Sequence, residues 1–143
     1  MHFRSTFRTA ALCGATALLL SCGDDPQVIP QVVDIIVVVA PGGAGAGNVS
    51  SGTAELVLDC DIAAGASAGT CSNGFSDAGG VGSFTLLAVP EAGSSFGSWS
   101  TVCETSSALG ACTASVNQAT LVVEYDNAGN AGTVTVDVTA SFN

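Results

Sequence analysis

The chain has 143 residues, 48% of them hydrophobic and only 10% charged, with 18 glycines, 6 cysteines and a formal charge of −10 at pH 7. That is room for one domain, and the composition is too apolar for a disordered tail. Both cations, Arg4 and Arg8, and the one histidine, His2, fall in the first eight residues. Everything after them is neutral or acidic, and such a surface cannot neutralise phosphates, which excludes nucleic acid and anionic headgroups as its partners.

The first element, residues 1–21, is a signal peptide. Arg4 and Arg8 make a positive start, Thr9 to Leu20 an apolar stretch, and Leu19-Leu20-Ser21-Cys22 closes it with a small residue before a cysteine. The apolar stretch is too short for a transmembrane helix, which needs ~20 residues. The L-x-S-C box resembles the lipobox of bacterial lipoproteins. That resemblance implies cleavage before Cys22, a diacylated (palmitate-type) thiol there and an acylated new amino terminus. Cys13 does not qualify, because bulky Leu12 precedes it and too little apolar chain comes before. Several acyl chains on one residue anchor a protein stably, so the chain is expected to sit on a membrane without spanning it. Gly23, not an aspartate, follows Cys22, which points to the outer membrane.

Without the signal no cation remains against twelve carboxylates, so the mature chain carries −12. Its carboxylates have no basic side chain to pair with and must be solvated, hydrogen-bonded to backbone N–H groups or bound to a cation.

Residues 22–31 (CGDDPQVIPQ) read as an extended tether, and 32–143 as a single β domain. Val32 to Val39 is a β-branched run, interrupted by Asp34, that predicts a strand covered on both faces for part of its length. Shorter strands are predicted at Thr53 to Asp59, Ser83 to Val89, Ser98 to Val102, Thr113 to Val116 and Thr120 to Tyr125. From Thr133 to Phe142 strict alternation puts Val134, Val136, Val138, Ala140 and Phe142 on one face. Turn signals at Pro41-Gly42-Gly43, Asn73-Gly74, Gly79-Gly80, Pro90 to Gly93 and Asn127 to Gly132 separate them. About seven strands and no helix predict an all-β protein, a small antiparallel sandwich or rolled sheet.

Large side chains are scarce, so the core needs support, and the cysteines offer it. With Cys13 removed and Cys22 lipidated, Cys60, Cys71, Cys103 and Cys112 remain, a set with three connectivities. The local pairs Cys60–Cys71 and Cys103–Cys112 are favoured because each flanks one Gly/Ser-rich loop between strands. An exported protein meets an oxidising compartment. A four-cysteine zinc site is disfavoured, because zinc knuckles need shorter spacings.

Gly93-Ser94-Ser95-Phe96-Gly97 fits the G-x-S-x-G pattern of a hydrolase nucleophile elbow. An elbow serine needs a base, and the mature chain has neither histidine nor lysine, so Ser95 is not an activated nucleophile. Paired carboxylates suitable for glycoside hydrolysis are not apparent, the acids being scattered. Asp59 and Asp61 flank Cys60, and Asp126, Asn127 and Asn130 share one turn; these oxygen ligands are the candidates for Ca²⁺, the only cofactor considered, against a solvated turn as the simpler alternative. Gly43-Ala44-Gly45-Ala46-Gly47 lacks the spacing of a phosphate loop.

The order of motifs is similar to the bacterial repeat domain, also described as the divergent B-repeat of internalin-type surface proteins. The matching residues are Gly45 and Gly47 before Val49-Ser50-Ser51, Asp59-Cys60 with Cys71-Ser72, the block from Phe84 to Ser100 holding Pro90, Gly93-Ser94, Phe96 and Trp99, then Cys103, Cys112 and the close Val138-Thr139-Ala140-Ser141-Phe142. The chain departs by holding one copy and by inserting Leu121 to Gly132. The resemblance implies a non-catalytic surface module with a structural or adhesion role, binding an envelope protein or a glycan. It makes Phe96 and Trp99 core residues beneath a turn, with a sugar-stacking platform as the alternative, and it allows a β-grasp arrangement as an alternative fold.

Overall fold

The computed structural model describes residues 31–102 and 108–143. Ten strands follow one another: β1 (Val33–Gly43), β2 (Ala46–Ser51), β3 (Asp59–Ala63), β4 (Ala66–Thr70), β5 (Ser72–Asp77), β6 (Val81–Pro90), β7 (Phe96–Val102), β8 (Ala111–Asn117), β9 (Thr120–Asp126) and β10 (Gly132–Phe142). The protein is all-β, with no helix among the described residues, so those residues do not form a β-grasp arrangement, which needs one. Four strands in the order β5-β1-β10-β7 make one sheet and six in the order β4-β3-β2-β6-β9-β8 the other.

Alternation builds the core between the sheets. On β10, Val134, Val136, Val138, Ala140 and Phe142 are buried; on β1, Val33, Ile35, Val37 and Val39 are. Both join one apolar cluster with Val49, Cys60, Ile62, Phe84, Leu86, Leu121, Val123 and Tyr125 of the six-stranded sheet. Edge-on packing of Phe75 against Phe84, with ring centroids 6.3 Å apart, bridges the two layers directly.

Three features depart from the sequence expectation. First, β1 and β10 pair in parallel, from Val33 opposite Gly132 to Gly43 opposite Phe142, whereas every other pairing is antiparallel. Two strands at opposite ends of the chain need no tight turn between them, so parallel pairing meets no connection constraint. Second, Thr53 to Asp59 is not a strand: residues 53–55 bend and turn, 56–58 are irregular, and β3 begins only at Asp59. Leu56 and Leu58 are buried and alternate as a strand would, but Ser51 Oγ accepts from Thr53 N at 3.0 Å, and Leu56 N donates to Thr53 O at 3.3 Å. These local bonds compete with a ladder and win.

Third, four strands appear where small residues suggested loops. Asn73-Gly74 lies within β5, paired to Val37 and Ile36 of β1. Ala64 and Gly65, at φ 47° and 80°, form the two-residue turn that joins β3 to β4, a left-handed pair in which alanine stands where Asn is usual. The glycine run Gly43 to Gly47 turns the chain from one sheet into the other. A Cβ on Gly45 would lie 2.7 Å from the Asn143 backbone, and one on Gly43 would overlap Phe142 O, so the corner closes against the C-terminal strand only because these positions lack side chains.

Candidate functional site

Of the sulfur positions, Cys60 and Cys71 are bonded to each other, with Cα atoms 4.5 Å apart, and Cys112 on β8 is disulfide-bonded as well. Cys60 is buried on β3, while Cys71 lies between β4 and β5, where the chain crosses from the larger sheet to the smaller. Cys22 and Cys103 lie outside the described residues.

The oxygen ligands proposed for calcium form two separate clusters. Asp59 and Asp61 share the solvent face of β3, and Asn48 on β2 lies against both, its Nδ2 donating to Asp59 Oδ1 at 2.7 Å and Asp61 Oδ1 at 2.9 Å. The other cluster follows β9, and β2 and β6 stand between it and β3 in the sheet. There the oxygens are aimed at the turn's own amides. Asp126 Oδ1 accepts from Ala128 N at 2.8 Å, and Asn127 Oδ1 accepts from Gly80 N and Gly129 N, both at 2.9 Å. Asn130 closes the turn, donating from its backbone N at 2.9 Å and its Nδ2 at 3.1 Å to Asn127 O. Asn127 is fully buried and its Nδ2 has no partner among the described residues. Among the described residues no three His, Cys, Asp or Glu side chains gather around a point that a metal would occupy. The Asp126 to Asn130 segment is thus built as a side-chain-capped turn that pins the β5–β6 connection.

The G-x-S-x-G segment has no helix after it. Ser95 exchanges two backbone bonds with Asn143, both 2.8 Å, and Ser94 Oγ accepts from Ala46 N at 2.9 Å. Gly93, at φ 87°, turns the chain into β7. The motif serves to lock the C-terminus and deliver Phe96 and Trp99.

Those two aromatics border a concave surface. Phe96 packs against Trp99 and edge-on against Phe142, with centroids 5.2 and 5.7 Å apart. Both are half-buried, resting on the core rather than within it. Beside them opens a groove of about 490 Å³, walled by β7 on one side and by Pro90, Val116, Gln118 and Ala119 on the other. The far wall comes from the tight β8–β9 turn, where Gln118 sits at φ 53°, and Ala119 O accepts from Ala88 N at 2.9 Å to hold that turn against β6. Val116 on β8 is 56% exposed. Trp99 Nε1 is screened from solvent and has no acceptor among the described residues. Sequence reasoning found Phe96 and Trp99 but not the opposite wall, since nothing local ties residues 116–119 to residue 99.

A second, smaller cleft of about 280 Å³ was not anticipated. It lies between Glu55, Phe75, Asp77, Val81 and Tyr125. Burial pushes the Tyr125 hydroxyl well above its usual range; its hydrogen bond to Asp77 and the charges of Asp77 and Glu55 push it the same way. Gly82 leaves the room this needs, since a Cβ there would lie 2.5 Å from Tyr125 Oη and 2.8 Å from Asp77 Oδ2.

No protein-family model, curated protein or solved structure matches the chain.

Proposed function

We propose that this protein is a non-catalytic, lipid-anchored module of a bacterial cell envelope, held at the outer membrane through Cys22, that displays the Phe96–Trp99 groove to a binding partner. One observation carries the reading: the start of β1, where the preceding residues attach, and the groove are at opposite ends of the domain. The tether joins β1 at Val33, which is opposite Gly132, whereas Phe96 pairs with Phe142, which is opposite Gly43 at the other end of β1. At ~3.3 Å per residue the two ends of this strand are roughly 33 Å apart. An anchor at Cys22 would join the domain at the end of β1 remote from the groove, which leaves the groove free for a partner.

The absence of any Lys, Arg or His after residue 8 supports the non-catalytic part, because proton transfer near neutral pH would fall to carboxylates alone. The resemblance to the bacterial repeat domain points the same way. Radiolabelled palmitate fed to cells expressing the full chain tests the anchor. Label is expected in the wild type and lost in Cys22→Ala; equal labelling of both would refute it.

A further inference from the structure

We propose that the outer edge of β7 takes an extended, neutral or basic peptide segment of another protein as an added strand, with alternate side chains of that segment entering the Phe96–Trp99 groove. This occupant presupposes the display role proposed above and gives it a partner.

β7 ends its sheet, pairing with β10 along one side and with no strand along the other among the described residues. An edge strand presents unpaired backbone N–H and C=O groups, and folded proteins normally blunt such an edge with lysine, proline or inward charge. β7 reads FGSWSTV and carries none of these; its register slips only at the Phe96 end. The open edge adjoins an apolar groove, and that pairing of features is what strand addition uses: main-chain bonds supply affinity while pockets for alternate side chains supply selectivity. Trp99 adds a buried donor without an acceptor among the described residues, an unfavourable state that a carbonyl brought in by the occupant would relieve.

Charge decides which strand fits. Every formal charge from residue 31 onward is negative, from Asp34 to Asp137. A second copy of this chain would bring the same charge to the contact and is repelled, whereas a neutral or lysine-bearing segment is not. β4 provides an internal control: it is also an uncharged edge (ASAGT), but the groove is not beside it.

The test uses the full lipidated chain in detergent micelles and, as probe, the capped peptide Lys-Val-Thr-Val-Thr-Val-Lys. Trp99 is the only tryptophan, so its emission reports the groove alone. The expected result is a saturable emission shift with amide exchange slowed about tenfold or more across Phe96–Val102 and unchanged across Ala66–Thr70. Methylating alternate peptide nitrogens, or replacing both lysines by glutamate, should weaken binding about tenfold. Val116→Lys, at an exposed position that leaves the fold intact, should weaken it too. Unslowed exchange at β7, equal slowing at β4, or a Trp99 shift produced by cello- or chito-oligosaccharides and not by the peptide would overturn the proposal. So would protection of β7 that grows with protein concentration in the absence of peptide, which would make a second copy the occupant. Palmitate labelling is independent of all these outcomes, so the anchor survives or fails separately from the strand.

Discussion

Breaking the Cys60–Cys71 bond tests how far this domain depends on covalent support. The bond spans 11 residues of sequence, and closing a loop of that size removes about 3 kcal/mol of chain entropy from the unfolded state. The natural variant is Cys71→Ala, because Cys71 is only half-buried while Cys60 is fully buried and its thiol is tolerated in an apolar site. For a domain of this size about 3 kcal/mol corresponds to a fall in Tm of roughly 10 °C. The loss should also be local. β4 pairs only with β3, all five of its residues are exposed, and the disulfide secures its far end just before the chain enters β5. Amide exchange at Ala66–Thr70 should therefore accelerate far more than at β6 or β9, which are interior strands. Calorimetry and exchange on wild type and variant measure both effects. A Tm lowered by less than about 3 °C, with β4 exchange unchanged, would show that the β3–β4 ladder holds unaided and that the entropic reasoning is wrong.

Three further outcomes follow from the packing. Gly47→Ala should cost about 1–3 kcal/mol, because a Cβ there falls 2.6 Å from Phe142 Cδ1 and Cζ and closer still to Cε1; Phe142→Leu in the same chain should recover part of it, and denaturant melts of both single variants and the double variant measure the coupling. Asn127→Ala strips the acceptor from Gly80 N and Gly129 N and should cost about 2 kcal/mol by the same assay, with no effect of Ca²⁺ or EDTA on the wild-type Tm; a calcium-dependent melt would return the Asp126 to Asn130 turn to the status of a cation site. Tyr125 has its hydroxyl raised above the unfolded value of about 10, so its contribution is complete below that pH and is lost as pH rises beyond it. It is the only tyrosine and the chain has no lysine, so absorbance at alkaline pH follows it alone. Wild-type stability should fall above that pH, and Tyr125→Phe should flatten the profile.

The amino-acid order alone determined the all-β class, the absence of basic side chains after residue 8 and the strands predicted at Val32 to Val39, Ser83 to Val89, Ser98 to Val102, Thr113 to Val116, Thr120 to Tyr125 and Thr133 to Phe142, and it favoured the Cys60–Cys71 pair among three connectivities. These follow from composition, period-2 alternation and local spacing, which act over a few residues. The tertiary structure alone decided the rest. β4 and β5 have almost no large side chains, and they become strands because β3 and β1 offer them a ladder. Thr53 to Asp59 has a strand's pattern but turns at its start, because the Ser51 hydroxyl bonds the Thr53 backbone and Leu56 N donates to Thr53 O. Asp59 and Asp126 look alike on paper, yet one is bridged by Asn48 from a neighbouring strand and the other bonds within its own turn. The groove beside Trp99 exists only because residue 99 is brought against residues 116–119 by two different sheets. Long-range register is set by which apolar faces close on one another across the whole domain, and no window of neighbouring residues contains that information.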